Sequence, residues 1–173
     1  MTSLALAAPA AEARSWDRLL APAGTCGVQA DRSASVRAQE RAMRCMLNFA
    51  RRANGVRPML ARSGRMTRAA DRKAADIVRC GAFSHTACDR PFTYHLRASG
   101  YAAGCYGAGE NIAWGSGPLG TVRAIVRSWL HSDGHRHNLL SPRFRDHGVA
   151  LRTGRMGRAT DAAVWVHQLG FRC

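Results

Sequence analysis

Phe83-Ser84-His85, Gly109-Glu110-Asn111-Ile112-Ala113 and the run Trp129 to Leu140 (Trp-Leu-His-Ser-Asp-Gly-His-Arg-His-Asn-Leu-Leu) hold the side chains best suited to chemistry. An imidazole titrates near neutrality and, when neutral, ligates divalent metals. A carboxylate can orient such a ring, exchange a proton with it or join it as a ligand. A fourth pattern, Gly148-Val149-Ala150 with Val164-Trp165-Val166-His167-Gln168, sets a further His and Gln in a late apolar segment. None of these is specific by itself. His131, His135 and His137 lie close together, but Asp133-Gly134 between them predicts a helix end. That removes the i, i+4 spacing by which two helical histidines share a metal, so a three-histidine zinc site is discounted. Ser132 and His135 read as nucleophile and base, yet no Gly-x-Ser-x-Gly elbow or oxyanion feature accompanies them. Glu110, Asn111 and Asn138 read equally well as polar groups that satisfy neighbouring backbone.

Elements must position these residues. From Ser35 a helical period begins, with Val36, Met43, Leu47 and Ala50 recurring at three- and four-residue steps. Asn54-Gly55 supplies its stop, since both residues tolerate the left-handed conformation. A second helix is predicted from about Ser63, with Met66, Ala70, Ile77 and Val78 on one face and Gly81 closing it. A third runs from Pro91, a favoured first-turn residue, to Gly100. Asn111 to Trp114 reads as an extended segment, and Val122, Ile125, Val126 and Trp129 as the apolar stripe of a helix. His147 to Arg152 and Ala163 to Leu169 read as strands joined by a Gly- and Arg-rich loop. Trp114, Trp129 and Trp165 are assigned to core and strand packing. Helices first and strands late favour α+β layering over alternating βαβ units.

With 173 residues, 46% of them hydrophobic, the chain fits one globular domain with a sizeable core. No apolar run approaches the roughly 18 to 20 residues that span a bilayer, so the chain is read as not membrane-spanning, and as a monomer. Six cysteines without a Cys-x-x-Cys pair point to a disulfide framework rather than zinc, and so to an oxidising compartment. Cys80 and Cys88 lie near enough for a local bridge. Cys26 with Cys45 and Cys105 with Cys173 complete the expected pairing and tie both termini to the domain, although spacing alone leaves the connectivity open. Residues 1–32 are read as a signal-like or flexible leader, with apolar Leu4 to Ala8 and an Ala-x-Ala site at Ala8-Pro9-Ala10 or Ala11-Glu12-Ala13. Residues 33–173 form the domain. The formal charge is +15, and every basic residue but Lys73 is arginine. Such a charge draws the chain to anionic surfaces, but no motif for specific nucleic-acid reading accompanies it.

Taken in order, the motifs resemble the CAP superfamily (the SCP domain of cysteine-rich secretory, antigen 5 and pathogenesis-related proteins), particularly its bacterial branch. The resemblance runs from about Arg44 to Phe171. It includes Leu47-Asn48-x-x-Arg51-x-x-x-Gly55, the Phe-Ser-His turn, Gly-Glu-Asn-Ile-Ala, Trp129 followed by Gly134-His135-Arg136-x-Asn138-Leu139-Leu140, and the terminal strand. It implies a three-layer α-β-α sandwich with a cleft at one end. Many eukaryotic members place two His and two Glu there, and some bind a divalent metal through the His pair. His85 matches the first histidine, Glu110 the glutamate of Gly-Glu-Asn and His135 the histidine of Gly-His. The second glutamate falls on Ser132. The resemblance thus implies a cleft of His85, Glu110, Asn111, Ser132, His135 and Asn138. Zinc is the candidate ion on His85 and His135, with Glu110 as a third ligand or as acceptor for a ring N–H, and with affinity lowered by the missing carboxylate. The function it implies is a secreted or cell-envelope binding domain, for a small apolar ligand or an anionic envelope surface, without assigned catalysis. The alternative is a metal-dependent hydrolase of envelope material.

Overall fold

The computed structural model describes residues 16–173. Helix α1 (Val36–Ala53) opens where Ser35 Oγ accepts the Ala38 N–H, and α2 (Gly64–Cys80) where Ser63 Oγ accepts the Met66 N–H. Gly81, at φ 61°, closes α2 in the left-handed region that glycine enters without a Cβ clash. Helix α3 (Tyr94–Ala98) is shorter than its sequence reading, because Pro91 begins a turn closed by the Tyr94 N–H on its carbonyl. Thr121 caps α4 (Val122–Leu130), and α5 (Asp133–Leu140) follows two residues later. This last helix corrects the reading of Asp133-Gly134. The pair starts a helix, with the Asp133 carboxylate in the first turn, where the helix dipole favours an anion, and paired with Arg136.

Four strands, β1 (Ala61–Arg62), β2 (Tyr106–Gly115), β3 (Asp146–Met156) and β4 (Ala159–Arg172), form one sheet in the order β1-β3-β4-β2. Only the β1–β3 pair is parallel. The strands outrun their sequence readings. The expected Gly- and Arg-rich loop is largely strand, and β3 and β4 meet in a tight turn at Gly157, φ 57°. Its polar residues mask the alternation because that end of the hairpin stands in solvent.

Side-chain alternation divides the sheet between two apolar layers. Val149, Leu151, Ala163 and Trp165 pack with Met43, Met46 and Leu47 of α1 and Ile125, Val126 and Trp129 of α4. Ile112, Ala150, Val164 and Val166 point the other way, onto Ala70, Ala74 and Ile77 of α2. The result is the α-β-α sandwich. Gly148 lets α2 approach, since a Cβ there would stand 2.2 Å from the Met66 and Thr67 backbone. Trp129 and Trp165 are fully buried, but Trp114 is 39% exposed on the sheet edge and not a core residue.

The disulfides are Cys26–Cys45, Cys80–Cys88 and Cys105–Cys173, the expected pairing, and none of the six cysteines is free. The leader reading changes where it is described. Leu19, Leu20, Ala21 and Cys26 are buried against α1 and α4, so the packed domain begins well before residue 33. The reading of residues 1–15, Leu4 to Ala8 and both Ala-x-Ala sites included, lies outside the described residues.

Two buried polar features hold the interior of the sandwich together. Arg51 is fully buried, and its guanidinium donates to the carbonyls of Pro58, Leu139, Ser141 and Phe144. Burial and the nearby Arg145 lower its pKa to about 10, still far above neutrality, so the cation persists. His147 and His167 are also buried, with Nδ1 and Nε2 3.3 Å apart, and His167 stacks on Trp129. Burial, then the cations Arg44, Arg51 and Arg62, push His147 down to about 3; burial, then His147 and Arg51, hold His167 well below its ordinary range.

Arg51→Met should destabilise the protein by about 3 kcal/mol or more, because the buried carbonyls of Leu139 and Ser141 and the part-buried ones of Pro58 and Phe144 lose their donor. Urea unfolding at neutral pH measures it, and a loss under about 1 kcal/mol would contradict the role. The two histidines give a pH prediction. Their folded pKa values are depressed, so their contribution is complete above the unfolded value near ~6.5 and is lost as pH falls below it. From pH 7.5 to 5.0 stability should drop by about 4 kcal/mol, at ~1.4 kcal/mol per pH unit per ring. The same urea series on His147→Asn/His167→Gln should show a much flatter profile; an unchanged profile assigns the acid sensitivity elsewhere.

Candidate functional site

Strand β2 is a sheet edge, and its alternation sends neighbouring residues to opposite faces. Glu110 points to the α2 side and Asn111 to the α5 side. Because no strand flanks β2 further out, groups from both faces can meet around that edge. The cleft there measures about 400 Å³ and is lined by His85, Glu110, Ser132, Gly134, His135, His137 and Asn138.

Glu110 is the buried floor. Its side chain is 2% exposed; Oε1 lies 2.7 Å from His85 Nδ1 and Oε2 2.5 Å from Gln168 Nε2. Gln168 is its direct partner in the β2–β4 register, so the contact follows from strand pairing. His85 itself is 54% exposed in its side chain and belongs to the loop after α2. Three ties fix that loop. The Cys80–Cys88 bridge closes it, and Lys73 Nζ donates to the His85 carbonyl at 2.6 Å. Asp76 then takes Arg79, Arg90 and His95 within 2.9 Å. Burial opposes the Asp76 charge, but the hydrogen bonds of Arg79, His95 and Arg90 outweigh it and hold the carboxyl at about 2.

Helix α5 supplies the other wall. Asn111 Nδ2 donates to the His135 carbonyl, and Asn138 Nδ2 to Asn111 Oδ1, both at 3.0 Å, so the two asparagines fasten α5 to β2. His135 Nδ1 lies 2.9 Å from Ser132 Oγ, which makes no cap hydrogen bond at the head of α5. Burial, then the charge of His85, lower the His135 pKa, so the ring stays neutral below the usual imidazole range. His137 lines the cleft as well, whereas His131 ends α4 and turns to Asp17 at 2.8 Å.

The structure thus brings His85, Glu110, Ser132, His135 and Asn138 to one cleft, with Asn111 behind it. Sequence reasoning did not place Lys73, Asp76, Gln168 or His137 at the cleft; it weighed His137 only in the discounted three-histidine zinc site and noted Gln168 only within the late strand. Lys73 carried one signal, being the sole lysine among 26 basic residues. A metal would find a limited donor set. Both carboxylate oxygens of Glu110 are engaged, and each histidine uses Nδ1 in its hydrogen bond. Among the described residues no three or more His, Cys, Asp or Glu are grouped to hold a metal ion. That falls short of the three protein ligands of a catalytic zinc. His85 and His135 would hold an ion as a pair, with Glu110 orienting the His85 ring.

Comparison with known proteins agrees with this architecture. Over 134 residues the chain is 28% identical to an uncharacterized protein, YkwD, of Bacillus subtilis (strain 168), covering 78% of this chain and 48% of that one. It therefore spans about half the length of that relative. The fold matches an extracellular protein containing a SCP domain from Bacillus anthracis (TM-score 0.61, 22% identity, 79% of this chain and 43% of the other). It also matches an outer surface protein from Borrelia burgdorferi (TM-score 0.67, 13% identity, 81% and 97%). At these identities the structural likeness is one of fold. A family model described as CAP, the cysteine-rich secretory protein family, matches residues 45–169. Helices, sheet and cleft all lie within or beside that span, and the chain belongs to the CAP family.

Proposed function

We propose that the chain is an extracellular or cell-envelope binding domain whose His/Glu cleft takes a small ligand without turning it over. Three disulfides suit an oxidising compartment, and the similar structures come from an extracellular and an outer surface protein. Among the described residues no helix is long and apolar enough to cross a membrane. The observation that carries the binding reading is the state of Glu110. Its two oxygens are engaged by His85 and Gln168, and Ser132 replaces a second carboxylate, which leaves no free acid in the cleft for proton transfer. The ligand would meet the exposed His85 ring, the neutral His135 ring and the Ser132 hydroxyl.

The convergence of two imidazoles on one cleft favours a second reading, in which a divalent ion bound there assists hydrolysis of envelope material. The ion would supply Lewis-acid polarisation of a bound carbonyl. His85 and His135 would hold it, and Glu110 would keep the His85 Nδ1–H in place.

Calorimetric titration with zinc, on the parent and on His85→Ala and His135→Ala, and turnover of purified envelope material separate the two. The binding reading expects no turnover and, with only two imidazole donors, zinc affinity about tenfold or more below that of a three-ligand site. Turnover that is lost on chelation, restored by zinc and absent from both variants would replace binding with hydrolysis.

A further inference from the structure

The opposite edge of the sheet carries a second pocket that the cleft does not explain. It measures about 600 Å³ and is lined by Val36, Arg37, Glu40, Arg41 and Arg44 of α1 and by Arg62 of β1. Strand β1 is the far edge from β2, so this pocket and the His/Glu cleft stand at opposite ends of the four-strand order. We propose that this pocket is a binding site for a phosphate group, held by the guanidiniums of Arg37, Arg41, Arg44 and Arg62.

Local physics argues against this arrangement unless an anion joins it. Arg37, Arg41 and Arg44 recur at four- and three-residue steps, so their like charges share one helical face and weaken the helix. Arg37 also sits in the first turn of α1, which has no acidic residue and where the helix dipole repels a cation. Among the described residues none of the four arginines makes an ion pair, although Arg32, Arg79, Arg90, Arg127, Arg136 and Arg152 all do. The one carboxylate present, Glu40, accepts the Leu151 N–H at 3.2 Å. Four cations therefore face one acid. Burial first, then the neighbouring charges of Arg62 and Arg41, lower the Arg44 pKa against the opposing pull of Glu40. Val36 is 47% exposed at the rim although it belongs to the apolar period of α1, and it gives the pocket an apolar lip. Planar guanidiniums converging on one space match phosphate oxygens in charge and hydrogen-bond geometry.

The net charge of +15 would attract any anion, so the test needs a charge-matched control. Arg155 and Arg158, exposed at the β3–β4 turn, provide it. Inorganic phosphate is titrated calorimetrically at low salt into the parent, Arg44→Gln/Arg62→Gln and Arg155→Gln/Arg158→Gln, with thermal unfolding as a check on folding. Phosphate affinity should fall about tenfold in the first pair and less than about twofold in the second. Should Arg44→Gln impair folding, Arg41→Gln/Arg62→Gln, both at exposed positions, replaces it with the same expectation. Glu40→Gln should tighten binding. Flotation with phosphatidylglycerol and phosphatidylcholine vesicles then identifies the source. Retention on phosphatidylglycerol that drops selectively in the pocket variant marks a lipid headgroup; selective loss of inorganic phosphate binding alone marks a phosphate in solution. Equal losses in the two pairs, or no phosphate binding by the parent, would overturn the site.

Discussion

A single buried cation organises the end of the molecule that carries the cleft. Arg51 rises from α1 with no carboxylate beside it and instead gathers carbonyls from the chain after α1, from the last turn of α5 and from the segment after it. A guanidinium suits this because its donors spread in a plane and reach several acceptors at once. Asn48, one turn earlier, brackets Leu60 with both its amide groups, donating to the carbonyl and accepting the N–H. Together they set where β1 begins and where α5 ends. The position of His135 follows, because α5 is held at its C-terminal end by Arg51 and along its body by Asn111 and Asn138.

The two walls of the cleft are secured independently. On the α2 side, Lys73, Asp76 and the Cys80–Cys88 bridge hold the loop that presents His85. On the α5 side, amide-to-backbone and amide-to-amide hydrogen bonds do the work. Glu110 points to the α2 side, and the α5 side can reach the same cleft only because β2 is an edge strand. With a further strand beyond β2, His85 and His135 would be separated by the sheet.

The charge distribution has the same layered logic. Cations at the surface are numerous, but those inside are few and committed, Arg51 to carbonyls and Lys73 to the His85 carbonyl. The buried histidines His147 and His167 stay neutral in this field, since burial and the cations Arg44, Arg51 and Arg62 all oppose a further positive charge. The His167 ring stacks on Trp129, whose other neighbour is the His135 ring at 6.5 Å, so the neutral interior extends to the wall of the cleft.

Much of this was legible in the chain. The periods of α1, α2 and α4, the local Cys80–Cys88 bridge, and the motif residues that line the cleft follow from local spacing and from the family likeness, whereas spacing left the two longer disulfides open. The periods and the local bridge depend on chemistry within a few residues, and the cleft residues on motifs read as a set. The start of α5 was misread because Asp-Gly serves a helix end and a helix beginning alike, and only packing against β2 chose between them. The full length of β3 and β4 was hidden because their solvent-exposed ends lack apolar alternation. The partners of Arg51 and Lys73, and the Gln168 partner of Glu110, were not legible at all. Gln168 meets Glu110 across 58 residues, through strand register, and Arg51 meets Ser141 across 90. Such pairings are set when sheet and helices pack around a shared core, and no local pattern in the sequence records them.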